Sequence, residues 1–167
     1  EVLSLAHDLG HTPFGHAGEL ALSNCMNSDC FDHNIQSLRI LILLEDTYKE
    51  HKGLNLSINC LDGLLKHNGP ITNEELFSNQ LPEIFNYNLN FKSLGSLEAQ
   101  ISSLADDIAY NCHDIDDGLR ANLFSIDNLL DLSFINELFK NNKNIQKNEI
   151  VRNLLNKLAT DLIENSM

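Results

Sequence analysis

The sequence predicts an all-α fold, and three observations carry that expectation. Apolar residues recur at spacings of three and four through most of the 167 residues, period-two alternation is nearly absent, and the breaks between periodic segments are short and polar or Gly/Pro-marked. Helical periodicity runs through Leu20 to Met26, Ile35 to Leu44, Leu56 to Leu65, Leu97 to Cys112, Ile115 to Phe124 and Ile150 to Ile163. Phe85 to Phe91 is the one stretch that alternates, but it is crowded with Asn and has no hairpin signal. Connectors fall at Gly10 to Gly15 with Pro13, at Asn27 to Asp32, at Asn68 to Thr72 with Gly69-Pro70, and at Asn141 to Asn148. The Asn/Lys-rich stretch from Lys140 to Lys147 is expected to be a surface turn, and no internal repeat is present.

A chain of 167 residues that is 43% hydrophobic can bury one sizeable core, so a single domain over 1–167 is expected. Glu1 opens directly inside an apolar-periodic segment, and Val151 to Met167 reads as a core-facing helix without a closing cap. Truncation at both ends is therefore expected. The longest apolar run, Ile40 to Leu44, falls far short of the roughly 20 residues of a membrane helix, so a cytoplasmic protein with no membrane partner is expected. Cys25, Cys30, Cys60 and Cys112 form no C-x-x-C pair and are read as reduced, half-buried thiols. The formal charge of −13, from 24 acidic against 11 basic residues, repels polyphosphate chains. General nucleic-acid affinity is not expected, and any nucleotide must be drawn in by a metal ion or a local basic pocket.

The segment from Ala6 to Glu19 concentrates the chemistry: His7, Asp8, His11, His16 and Glu19 lie within thirteen positions. His7 and Asp8 are adjacent, so on a helix they point about 100° apart and share an ion only at a helix end. Gly10 and Pro13 supply that end, and the turn they make presents His11 and His16 toward the same cavity. Imidazole and carboxylate together suit a divalent ion such as Mn, Fe, Zn or Mg. Such an ion acidifies water for attack on phosphorus, while a second imidazole protonates the leaving oxygen. His16 and Glu19, three apart at the start of the next helix, are expected on one face, with Glu19 orienting His16. Any one of these histidines alone would read as a satisfied core residue or a solvated loop residue, and Glu19 as a first-turn acid favoured by the helix dipole; the clustering argues for metal chemistry.

A second acidic cluster follows Leu104. Asp106, Tyr110, His113 and Asp117 make one helical stripe, Asp107, Asn111 and Asp114 a second, with Leu104, Ile108 and Ile115 on the remaining arc as the core face. A solvated acidic face explains this pattern as well as a cation does.

The run Ala6-His7-Asp8-Leu9-Gly10-His11, with Pro13-Phe14-Gly15-His16-Ala17-Gly18-Glu19, resembles the HD signature of the bacterial dGTPase-like triphosphohydrolases. Phe31-Asp32-His33-Asn34, then Gln36-Ser37-Leu38-Arg39, Gly63 to Pro70, and Ala105 to Tyr110 with Asp114 are similar to the family's later motifs in the same order. The resemblance implies an HD-domain helical fold that hydrolyses a deoxynucleoside triphosphate at the α-phosphorus, releasing deoxynucleoside and inorganic triphosphate. It implies a divalent metal ion held by His7, Asp8 and Asp106, with Asp107 competing for the last role. It further implies catalytic roles for His16, Glu19 and His33, substrate contacts for His11, Tyr110 and Asp114, and the homo-oligomer common in the family. The family's first metal-binding His, with a neighbouring phosphate-binding Arg, lies upstream of the position matched by His7, so the 167 residues alone are expected to be impaired. Two other readings remain: an HD phosphohydrolase acting on a nucleoside monophosphate or cyclic nucleotide, and an inactive nucleotide-binding or oligomer-forming HD module.

Overall fold

Helices, most of them short and several with local caps, account in a computed structural model for all the regular secondary structure among the described residues. The structure describes residues 1–26, 30–139 and 147–166. They form two compact units, Glu1–Ser102 and Ser103–Met167.

In the first unit, α1 (Val2–Ala6) packs on α4 (Ile58–Leu65), with Leu3 lying where a side chain on Gly63 would otherwise sit. Between them come α2 (Gly15–Cys25) and α3 (His33–Arg39). Asp32 starts α3 by accepting from the backbone N–H of Asn34 and Ile35 at 2.8 and 3.0 Å, which satisfies two of the donors a helix N-terminus leaves open. The chain then continues as a π-helical turn, Ile40–Leu44, so the single helix expected over Ile35 to Leu44 begins two residues earlier and changes its winding at Ile40. Ser57 and Asn73 cap α4 and α5 (Glu74–Gln80), and Glu74 and Glu75 place negative charge in the first turn of α5, where the helix dipole favours it.

Ile35, Leu38, Leu41, Leu61, Leu65, Leu81 and Ile84 are essentially sealed from water and form the centre of this unit's core. The period-two stretch at Phe85 is the end of a 3-10 helix, Pro82–Tyr87, and Phe91 closes the core by stacking on Phe85 and meeting Phe77 edge-on.

The helix α6 runs unbroken from Leu97 to Arg120. The sequence suggested two periodic segments meeting near His113, but no Gly or Pro interrupts the helix before Gly118. Of the core arc expected on it, Ile115 packs against the core of the second unit, whereas Leu104 is half exposed, and Cys112 and Leu119 are the residues it buries. In the second unit Leu119 packs with Leu129 of α7 (Ile126–Leu130), Ile135 and Phe139 of α8 (Ser133–Phe139), and Ile150 of α9 (Lys147–Ser166). Ser125 and Asn128 form a reciprocal capping box that starts α7. The surface turn expected from Lys140 lies, up to residue 146, outside the described residues, as do positions 27–29 of the connector before α3. Cys25 and Cys30 are exposed, Cys60 is half-buried and Cys112 is buried, so two of the four thiols are more open than expected. No helix among the described residues is long and apolar enough to cross a membrane.

Candidate functional site

The first helix ends where the sequence says it must. His7 is the C-cap of α1, and the chain leaves through a turn in which Leu9 N–H donates to Ala6 O and His11 N–H to Asp8 O. That exit turns the His7 and Asp8 side chains toward each other, with His7 Nε2 3.4 Å from Asp8 Oδ2.

The turn is pinned from outside by Ser37 on α3. The Ser37 hydroxyl, 2% exposed as a residue, accepts from Gly10 N–H at 2.9 Å and donates to the His7 carbonyl at 2.8 Å. Gly10 has to be glycine for this: an added Cβ would lie 2.3 Å from Ser37 N and 2.4 Å from His33 O, both backbone atoms. The Gly-Pro punctuation therefore does more than end a helix. It seats the His-Asp turn directly on the backbone of the helix that carries His33.

The other motif residues gather on the same side of α3. His11 stacks on His33 with ring centroids 4.5 Å apart and planes 19° from parallel, and His16 meets both rings edge-on at 5.1 and 5.9 Å. Glu19 holds His33 twice: Oε1 accepts from His33 backbone N–H at 2.9 Å, and the carboxylate lies 3.0 and 3.1 Å from His33 Nδ1. Burial by itself would raise the Glu19 carboxyl, but the His33 ring and backbone hydrogen bonds, with the nearby charge of His33 and His11, outweigh it and lower the pKa overall. An ionised carboxylate can only accept, so Nδ1 of His33 carries the proton and Nε2 is the nitrogen left for chemistry. The sequence paired Glu19 with His16 by helical spacing; its hydrogen bonds go instead to His33, across the connector between α2 and α3.

Two sets of potential ligand atoms within 4.8 Å of one another follow in this unit: Asp8 with His11 and His33, and His11 with His16 and Glu19. The donor atoms are imidazole nitrogen and carboxylate oxygen throughout, which fits a divalent ion of the Mn, Fe, Zn or Mg kind. His11 Nδ1 is buried with no hydrogen-bond partner among the described residues, a state that costs free energy unless a ligand or ion completes it.

Asp106, Tyr110 and Asp114 sit four residues apart on α6, in the second unit; Asp106 is half-buried, while Asp107, Tyr110 and Asp114 are exposed. Two residues near the His-Asp turn had no assigned role in the sequence. One is Ser37. The other is His67, buried just beyond the end of α4, whose ring centroid lies 4.4 Å from that of His7. A signal for His67 exists in retrospect: like His7 it stands at a helix end followed closely by Gly and Pro.

No family model matches the chain. It is similar to curated proteins, each named deoxyguanosinetriphosphate triphosphohydrolase-like protein. That of Pelagibacter ubique (strain HTCC1062) is 51% identical over 98% of this chain and 45% of its own length. That of Rickettsia bellii (strain RML369-C) is 45% identical over 98% of this chain and 45% of its own length. That of Parvibaculum lavamentivorans is 51% identical over 84% of this chain and 37% of its own length. The chain thus spans less than half the length of these relatives, and within that span it is similar to proteins named deoxyguanosinetriphosphate triphosphohydrolase-like.

Proposed function

We propose that the chain is a partial HD phosphohydrolase domain, across residues 1–167, of a metal-dependent enzyme that hydrolyses deoxynucleoside triphosphates such as dGTP to deoxynucleoside and inorganic triphosphate. The observation that carries the proposal is the paired arrangement in the first unit: a His7-Asp8 turn seated on α3, beside a Glu19–His33 hydrogen-bonded pair flanked by His11 and His16. The names of the relatives supply the substrate class. His7, Asp8 and Asp106 are the residues that would hold the divalent ion, which when bound supplies Lewis acidity at the phosphate.

The chain's own residues do the rest. His11 and His16 offer imidazole N–H donors to phosphate oxygens in a protein of net charge −13, so they act as the local counterweight to a repulsive surface. Glu19 fixes the tautomer and ring orientation of His33, leaving Nε2 as the proton carrier. In the reaction a water oxygen bonds to the α-phosphorus while one of its protons passes to the imidazole pair His33 and His16, the bond from phosphorus to the 5′ oxygen breaks, and that oxygen leaves with a proton from the same pair. Tyr110 and Asp114 serve as sugar- and phosphate-side contacts from α6.

The test is product analysis. With dGTP and Mn present, the whole protein should release inorganic triphosphate and deoxyguanosine in equal amounts. Orthophosphate or a nucleoside monophosphate as the first product would assign a different HD phosphohydrolase reaction, and tight nucleotide binding without turnover would leave only a binding module.

A further inference from the structure

We infer that His67 is a further ligand to the divalent ion, gripping it together with His7; the inference rests on the metal-dependent reading above and adds to it a residue that the His-Asp signature does not contain. The two rings have centroids 4.4 Å apart with planes tilted by 37°, and a ring nitrogen of each lies within 4.8 Å of the other. Parallel stacking, as in the 19° pair of His11 and His33, sets rings face to face. His7 and His67 are tilted further from parallel, with one potential ligand nitrogen of each inside the same 4.8 Å cluster.

The spacing suits a shared ion. Donors bound to one ion at about 2.0–2.1 Å stand roughly 3–4 Å apart. His7 Nε2 and Asp8 Oδ2 already meet that separation at 3.4 Å, and a ring nitrogen of His67 lies within 4.8 Å of one of His7. The backbone also favours a cation here. α1 ends at Ala6 and α4 ends at Leu65, and the two helices pack on each other, so both imidazoles follow helix C-termini, the end of the backbone dipole that favours a cation. Lys66, which would otherwise repel an ion beside His67, is committed elsewhere: its ammonium pairs with Asp62 and donates to Ser93 Oγ at 2.8 Å. His67 itself is buried, so its position is set by packing rather than by solvent.

The experiment uses Mn(II) as the probe on the full chain. Pulsed electron paramagnetic resonance counts the imidazole nitrogens coordinated to the ion, and calorimetry gives its affinity, for the unsubstituted protein, His67→Gln and His7→Gln. The expected result is at least two coordinated imidazoles in the unsubstituted protein, one fewer in His67→Gln, and an affinity loss of at least about tenfold. An unchanged imidazole count in a folded His67→Gln overturns the inference. If that variant does not fold, the unsubstituted protein still decides: a single coordinated imidazole excludes His67. The metal-dependent reading fails separately, through Mn(II) affinity that is undetectable in the unsubstituted protein or unaltered in His7→Gln.

Discussion

Replacing Gly10 by Ala should be among the most damaging single-methyl changes in this protein. The added Cβ would lie 2.3 Å from Ser37 N, 2.4 Å from His33 O and 2.7 Å from Gln36 C. All three are backbone atoms of a capped helix with a sealed core behind it, so no side-chain rotation relieves the clash. Restoring ordinary contact requires the turn to retreat from α3 by about 1 Å, an overpacking strain of about 1–3 kcal/mol. That retreat also breaks the bonds from Gly10 N–H to Ser37 Oγ and from Ser37 Oγ to His7 O, each worth about 0.5–1.5 kcal/mol. The expected destabilisation is about 2–6 kcal/mol, measured by urea unfolding followed by circular dichroism. A displacement of this size at His7 and Asp8 should lower turnover by about 100-fold in whatever fraction remains folded. Gly15→Ala is the control: its φ is +56° but nothing lies within 4 Å of its added Cβ, so only left-handed backbone strain of about 1 kcal/mol applies. Gly10→Ala costing no more than Gly15→Ala would refute the argument, and combining it with Ser37→Ala should give no rescue because the obstructing atoms belong to the main chain.

Three further outcomes are expected. Because the Glu19 carboxyl is held below its ordinary value, its contribution to stability is complete above the unfolded-state pKa near 4.5 and disappears as pH falls through the lower folded-state value; melting temperatures of Glu19→Gln and the unsubstituted protein should converge on acidification below that range. Asp62→Asn leaves the buried Lys66 ammonium with only Ser93 as partner and should cost about 2–4 kcal/mol by chemical unfolding, more than Lys66→Met, which removes the charge together with its need for a counterion. Phe14 has a left-handed backbone at φ 68° and is 91% exposed, so Phe14→Asn should raise thermal stability by about 1 kcal/mol; a drop would show that the ring is packed in solution.

The fold class was legible because periodicity reports burial directly, and the α4 and α9 stretches show it: Leu56 to Leu65 and Ile150 to Ile163 lie within or beside helices at Ile58–Leu65 and Lys147–Ser166. Periodicity failed where it depends on which face meets a neighbour. Leu104 belongs to the apolar arc of α6 by spacing, yet stands half exposed while Cys112 and Leu119 take the core. The winding change at Ile40 was likewise invisible, since an uninterrupted apolar run looks the same in an α-helix and a π-turn.

For the site, composition and short-range order along the chain determined that His7 and Asp8 must stand at a helix end, because Gly10 and Pro13 permit nothing else there. Local rules reach only three or four residues along a helix, and so they paired Glu19 with His16. Tertiary structure decided that Glu19 serves His33, fourteen positions away, that Ser37 ties down the His7 carbonyl from thirty positions away, and that His67 lies against His7. Those partnerships arise from how α1, α3 and α4 pack, which depends on the shapes of many buried side chains at once and is written in no single motif.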